Sequence, residues 1–269
     1  MPEPNRYVQI IERIFLSRYK KGDTEVPFER EDIVRVAQEL GVRLPKNLGD
    51  VIYSFRYRAP LPKSVIRRAP KKHQWVIRSS GRSLYKFVAT KAVRISPSAM
   101  LAETKIPDAT PGVIAMYALG DEQALLAKLR YNRLIDIFTG VACYSLQSHL
   151  RTAVKGMGQV ETDEMYIGVD RRGVHYVFPV QAKGGRDFVN IVQIEQDMAM
   201  CAERFPSLIC RPVGAQFMGP DLICLFAFEA GENGVAVLHE KHYRLVPPDQ
   251  LSEAELKAYG SRADKGPCD

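Results

Sequence analysis

Residues 176–185 read YVFPVQAKGG, and the fold of the C-terminal part of the chain turns on them. Side chains of an extended strand alternate faces, so Tyr176, Phe178, Val180 and Ala182 share one side while Gln181 and Lys183 share the other. An apolar strand therefore ends by presenting an amide and an ammonium together. A buried cation is costly without a partner, and the search for that partner leads upstream.

The preceding segment, QVETDEMYIGVD over 159–170, alternates in the same way, and Arg171 to Gly173 supplies a turn. Residues 159–183 thus read as a β-hairpin. Folding it back brings Glu161 and Asp163, which share a parity, to the sheet end that carries Gln181 and Lys183. Carboxylate, amide and ammonium converge there. A hard divalent cation such as Mg2+ takes oxygen ligands and keeps several waters, and a neighbouring Lys can orient or deprotonate one water and offset charge on a phosphate.

Elements on either side complete the pattern. DEQALLAKLRYNRLIDIF, from Asp121, has helical spacing with Leu125, Leu126, Leu129, Leu134 and Ile135 on one broad side, and a second helix is predicted over VACYSLQSHLRTAV (141–154). A helix follows from about Val189 to Arg204, then strands over 208–217, 222–228 and 235–246. The tail LSEAELKAYG places Ser252 and Glu255 as a capping box for a short last helix. Helix, hairpin, helix and strand in that order give an α/β domain with a mixed sheet.

With those residues in place the hairpin resembles the PD-(D/E)xK nuclease core shared by restriction endonucleases and many repair nucleases. Thr162-Asp163 stands where the family has Pro-Asp, and Gln181-Ala182-Lys183 stands where it has (D/E)-x-K, in the Asp…Gln-x-Lys form similar to Mrr-like restriction enzymes. The region of similarity runs over roughly 121–246. The resemblance implies a restriction-endonuclease-like αβββαβ core and metal-assisted hydrolysis of phosphodiester bonds. Asp163 and the backbone carbonyl of Ala182 would hold Mg2+, with Mn2+ as a substitute, and Glu161 would help them. Gln181 would complete the shell in place of an acid, and Lys183 would position the attacking water. The acid that the family often supplies from the helix before the first strand has Gln147 and His149 as its nearest counterparts here. Gln193 and Gln196, downstream, resemble the Gln that RecB-like nucleases use.

Charge points the same way from the other half of the chain. Up to Ser96 there are 21 Lys and Arg against 9 Asp and Glu, and beyond it 17 against 22, so the net +7 is an N-terminal property. A basic domain is the footprint expected for a polyanion, because neutralised phosphates release condensed counterions. Helical spacing over Asn5–Tyr19 and Glu31–Leu40, a third helix in PKNLGDVIYSFRYR and a hairpin in HQWVIRSSGRSLYKFVAT resemble a winged helix-turn-helix, whose third helix enters the major groove. Arg56, Arg58, Lys63, Arg67 and Arg68 would lie on or after that helix, and Arg78, Arg82 and Lys86 on the wing. Phe55, Tyr57 and Trp75 can equally be core.

The reading divides the chain into a winged-helix domain over 1–94, a Pro-rich connector over 95–120 (SPS, ETKIPDATPG), a catalytic domain over 121–250 and a tail over 251–269. Five cysteines without a CxxC pair argue against a disulfide framework and a thiolate zinc site. His239 and His242 in LHEKHYRLV are one residue short of HExxH. Without GxxxxGK[ST], and with only GMG at 156–158, no nucleotide cofactor is implied. No apolar run of roughly 18 residues exists to span a bilayer and the N-terminus lacks signal-peptide order, so a cytoplasmic protein is expected. The functional expectation is a Mg2+-dependent endonuclease acting on double-stranded DNA as a homodimer. It would be a restriction enzyme, either type II or modification-dependent. The alternatives are a DNA-binding regulator with an inactive nuclease-like domain and a repair nuclease.

Overall fold

The hairpin around Lys183 is present, as β7 (Gly158–Val169) and β8 (His175–Lys183), paired antiparallel from Glu164 opposite Val180 to Val169 opposite His175. The computed structural model describes residues 7–81, 83–91, 94–117, 122–184, 187–231 and 234–261, apart from the side chains of Arg58 and Arg94. The Asp170 carboxylate builds the turn by accepting from the backbone N–H of Arg172 and Val174, and Gly173 adopts a φ of 80° there. Gly168 is required for close approach, since a Cβ would stand 2.7 Å from both Phe178 and Val141.

The chain divides into two compact units, Met1–Val93 with Ala153–Gln159, and Arg94–Thr152 with Val160–Asp269. The first contains α1 (Val8–Arg18), β1 (Glu25–Glu29), α2 (Arg30–Glu39), α3 (Gly49–Tyr53), α4 (Lys63–Ile66), β2 (Gln74–Gly81) and β3 (Leu84–Thr90). Its antiparallel sheet has the order β1-β3-β2. The expected third helix is shorter than the sequence pattern suggests: α3 runs into a π-helical turn at Ser54–Arg58 and stops before Pro60. Phe15, Phe28, Trp75 and Phe87 build the core, with the Phe15 and Trp75 rings edge to face at 5.1 Å. Phe55 belongs to that core, while Tyr57 is half-buried.

The second unit is a mixed α/β arrangement around a large mixed sheet, ordered β5-β13-β12-β11-β8-β7-β6 with β10 added beside β8. Its elements are β4 (Arg94–Ile95), β5 (Glu103–Pro107), α5 (Gly112–Tyr117), α6 (Glu122–Tyr131), α7 (Leu134–Thr139), β6 (Ala142–Val154), β7 and β8. They continue with β9 (Val189–Asn190), α8 (Ile191–Arg204), β10 (Ile209–Cys210), β11 (Val213–Phe217), β12 (Leu222–Gly231), β13 (Gly234–Val246) and α9 (Glu253–Gly260). Tyr176, Phe178, Val180 and Ala182 point into one core with Leu125, Leu129, Leu134 and Phe138 of α6 and α7, as strand parity expects. Helix α8 carries the chain from β8 to β11, which pairs parallel to β8 and so needs such a crossover.

Three expectations are corrected. Where a helix is expected over 141–154, Ala142–Val154 form strand β6. The segment read as a connector is part of the second unit: β4 pairs with β9, and β5 is the edge strand beside β13. An edge tolerates Pro107 at its last position. The helical run from residue 121 is broken at Arg133, which sits at φ 49°. The buried Asn132 amide bonds there to the Ala109 N–H, the Thr110 hydroxyl and the Lys128 carbonyl. Asp121, the expected start of the catalytic domain, lies outside the described residues.

Candidate active site

Strand β7 delivers Asp163 and strand β8 delivers Lys183 to one place. Asp163 Oδ2 accepts a hydrogen bond of 2.7 Å from the backbone N–H of Ala182 and lies 3.6 Å from Lys183 Nζ. Both side chains are nearly buried, at 13 % and 11 % exposure. A second carboxylate completes the group: Lys183 Nζ donates to Glu122 Oε1 at 3.2 Å. Glu122 opens α6, at the end of a helix whose N-terminal dipole suits an anion. Two acids around one ammonium leave the cluster with a net negative charge, which attracts a cation.

Gln181 lies one step behind this group. Its Nε2 donates to the Glu161 carbonyl at 3.0 Å and to Asp197 Oδ2 at 2.9 Å, while its Oε1 accepts from Gln193 Nε2 at 3.1 Å. Asp197 also accepts from the Thr162 hydroxyl at 2.5 Å. This carboxylate is fully buried. Burial pushes it up to about 7, against the opposing pull of the Thr162 and Gln181 hydrogen bonds, and the nearby Asp163 charge pushes in the same direction as burial. The carboxyl group missing at position 181 thus stands on helix α8, hydrogen-bonded behind the Gln181 amide.

The other expected ligands take different positions. The Glu161 carboxylate pairs with Arg151 at 2.9 Å, and only its backbone carbonyl reaches the Gln181 network. Ala182 meets Asp163 through its N–H rather than its carbonyl. Glu164 is buried on the neighbouring parity and committed to Arg130 at 2.8 Å and to Ser145 at 2.6 Å. Gln147 and His149 lie on strand β6, where His149 Nε2 is 2.8 Å from Gln123 Nε2, next to Glu122. Gln196 is buried on α8.

Glu122 and Asp197 are the two residues that sequence reasoning passed over. Glu122 is the first described acid of the helix whose leucines pack beneath the hairpin. Asp197 has Ile194, Met200 and Cys201 at helical spacing around it, and an acid on an otherwise apolar helix face was the signal.

In the first unit, Lys63, Arg67 and Arg68 are exposed on and just after α4, with Arg68 donating to the Ser64 carbonyl. Arg56 lies in the π-helical turn with its guanidinium 5.0 Å from the Tyr57 ring centre. Arg78 is half-buried on β2, and Lys86 on β3 pairs with Glu25 at 2.7 Å. Arg82 and the Arg58 side chain lie outside the described residues. Among the described residues no helix is long and apolar enough to cross a membrane. Compared with protein-family models, curated proteins and solved structures, the chain returns no match.

Proposed function

We propose that this chain is a divalent-cation-dependent DNA endonuclease with its active centre at Asp163, Lys183 and Glu122, supported by Gln181. The observation that carries the reading is the 3.6 Å approach of Asp163 to Lys183 from adjacent strand ends, in a nearly buried setting. Burying an ammonium between two carboxylates costs desolvation that an apolar pair would not incur. A functional role accounts for keeping it. The order α6-α7, β6, β7, β8, α8, β11, interrupted only by the two-residue strands β9 and β10 and with β11 parallel to β8, supports a restriction-endonuclease-like core. The order α1, β1, α2, α3, α4, β2, β3 with sheet order β1-β3-β2 supports a winged helix with one added helical turn in the first unit.

The donor set fits a hard cation. Asp163 and Glu122 offer carboxylate oxygens on either side of Lys183, as Mg2+ or Mn2+ prefers. Bound there, the cation would lower the pKa of a water and offset charge on the scissile phosphate. The Ala182 N–H fixes the Asp163 carboxylate in place. Lys183, freed from one acid as the cation takes it, would orient the attacking water and balance negative charge on the phosphate. Gln181, pinned by Asp197, Gln193 and the Glu161 carbonyl, holds the end of β8 rigid. Lys63, Arg67, Arg68, Arg56, Arg78 and Lys86 would take DNA phosphates. Cutting both strands calls for two such centres, hence a homodimer, and restriction of foreign DNA in the cytoplasm is the role we assign.

Plasmid cleavage in Mg2+, compared between the wild type and Lys183→Ala, tests this. Linear product from the wild type alone supports the centre, and equal product from both removes it. The Gln181 amide, engaged on all sides in place of an acid, favours a second reading as a DNA-binding regulator with an inactive nuclease-like domain. DNA binding without cleavage by the wild type would decide for that.

A further inference from the structure

Strands β12 and β13 run antiparallel with Cys224 directly opposite His242 and Phe226 opposite Glu240. Glu240 precedes His242 by two residues, so strand parity turns both toward the face that holds Cys224. His239 has the other parity and stacks 5.9 Å from the Phe138 ring. The HEKH sequence is therefore split between two faces, and its Glu240 and His242 share theirs with Cys224 of the preceding strand.

The three side chains meet. His242 Nε2 lies 2.8 Å from Glu240 Oε1, Cys224 Sγ lies 3.6 Å from the same oxygen, and one donor atom from each residue falls within 4.8 Å of the others. Cys224 and His242 are 0 % and 2 % exposed, while the Glu240 side chain keeps 17 % and gives the cluster its access to solvent. Tetrahedral zinc bound by thiolate, imidazole and carboxylate sets its donor atoms roughly 3.3–3.6 Å apart. The sulfur–oxygen separation already has that value, and the nitrogen–oxygen separation needs to open by about half an ångström. The backbone N–H of Ser98 donates to Glu240 Oε1 at 2.7 Å, an outer contact of the kind that orients a ligating carboxylate.

We propose that Cys224, Glu240 and His242 form a second, mononuclear metal site for Zn2+ or a chemically similar ion, with a fourth position taken by water. Sulfur and imidazole select a borderline metal where the oxygens of Asp163 and Glu122 select a hard one, so the two sites sort their cations by chemistry. On binding, the Cys224 thiol proton passes to solvent and the thiolate, neutral imidazole and carboxylate each bond the metal. The ion would clamp β12 to β13 and, through Ser98, hold the segment leading into β5. The proposal stands independently of the nuclease reading.

The test uses the full chain, stripped with a chelator and titrated with Co2+. With excess Mg2+ present to occupy the oxygen site, the expected result is visible absorption of a tetrahedral ion and a near-ultraviolet thiolate-to-cobalt band that saturate together at one equivalent, both removed by Zn2+. Cys224→Ser should abolish the thiolate band, and Cys201→Ser should keep it. Absence of the band from the wild type, or its survival in Cys224→Ser, overturns the proposal. Should Cys224→Ser fail to fold, Glu240→Gln changes the most accessible member. Its Co2+ affinity should fall by at least about tenfold, and unchanged affinity overturns the proposal equally.

Discussion

Lys183 Nζ lies 3.2 Å from Glu122 Oε1, joining the end of β8 to the first residue of α6 across 61 positions of chain. This contact gives the hairpin's lysine a second acid, and it ties the candidate centre to the helix that packs beneath it. Lys183 is held between Glu122 and Asp163, so its charge is balanced before any cation or phosphate arrives.

Replacement of Lys183 by Ala should lower the Mg2+-dependent cleavage rate by about 10²-fold or more, the usual cost of losing a proton-transfer group. Glu122→Gln should act differently, raising the Mg2+ concentration needed for half-maximal rate while leaving more of the rate at saturating metal. A metal titration of supercoiled-to-linear conversion measures both. An unaltered metal requirement in Glu122→Gln would take that residue out of the centre.

Exposed Lys63 and Arg67 should contribute separately to DNA affinity. With one fewer phosphate neutralised, the slope of log affinity against log salt should become shallower by about 0.9. Lys86→Ala should change the slope less, since Lys86 already pairs with Glu25. Fluorescence anisotropy with one duplex at several salt concentrations supplies the slopes. Identical slopes for the wild type, Lys63→Ala and Arg67→Ala would leave the basic unit without a phosphate-binding role.

The β7–β8 hairpin was legible because burial largely alternates along β7 and Gly173 marks its turn, whereas β8 is covered on both faces from Tyr176 to Lys183. The capping box of α9 was legible for a local reason too, Ser252 and Glu255 bonding reciprocally. Strand β6 was not. It is the outer strand of the sheet and mostly exposed, so no alternation is imposed, and Ala142, Leu146, Leu150 and Ala153 mimic helical spacing. Strand β5 hid behind prolines that an edge accepts. Asp163 and Lys183 could be paired from sequence because one turn connects their strands. Glu122 and Asp197 join them only through tertiary packing, to which no local period corresponds.

Gly168→Ala should destabilise the second unit by about 1–3 kcal/mol, the usual cost of overpacking a close-packed site. Its Cβ would meet Phe178 and Val141 at 2.7 Å and the Cys143 sulfur at 3.2 Å. Gly173→Ala probes backbone conformation alone, because nothing lies within 4 Å of the added atom but φ is +80°. Urea unfolding of the two variants separates the terms, and a Gly168→Ala protein as stable as the wild type would show that the hairpin core can give way.

The Asp197 carboxyl should leave a signature in the pH dependence of stability. Its ordinary value of 3.8 is raised in the folded protein to about 7, chiefly by burial. Between those values the unfolded chain has released the proton while the folded chain keeps it, so the unfolded state binds fewer protons and stability falls as pH rises. The contribution is fully present below about pH 4 and lost above about pH 7. Asp197→Asn removes this titration and retains an acceptor for Thr162. In metal-free buffer the wild type should therefore lose stability relative to the variant on going from pH 4 to pH 8, by an amount on the order of a few kcal/mol. Urea midpoints at the two pH values give the difference directly, with the other carboxylates cancelling between the proteins. A wild-type-to-variant gap that stays constant across that range would mean that Asp197 is ionised throughout and that Thr162 and Gln181 stabilise its charge well enough to offset burial.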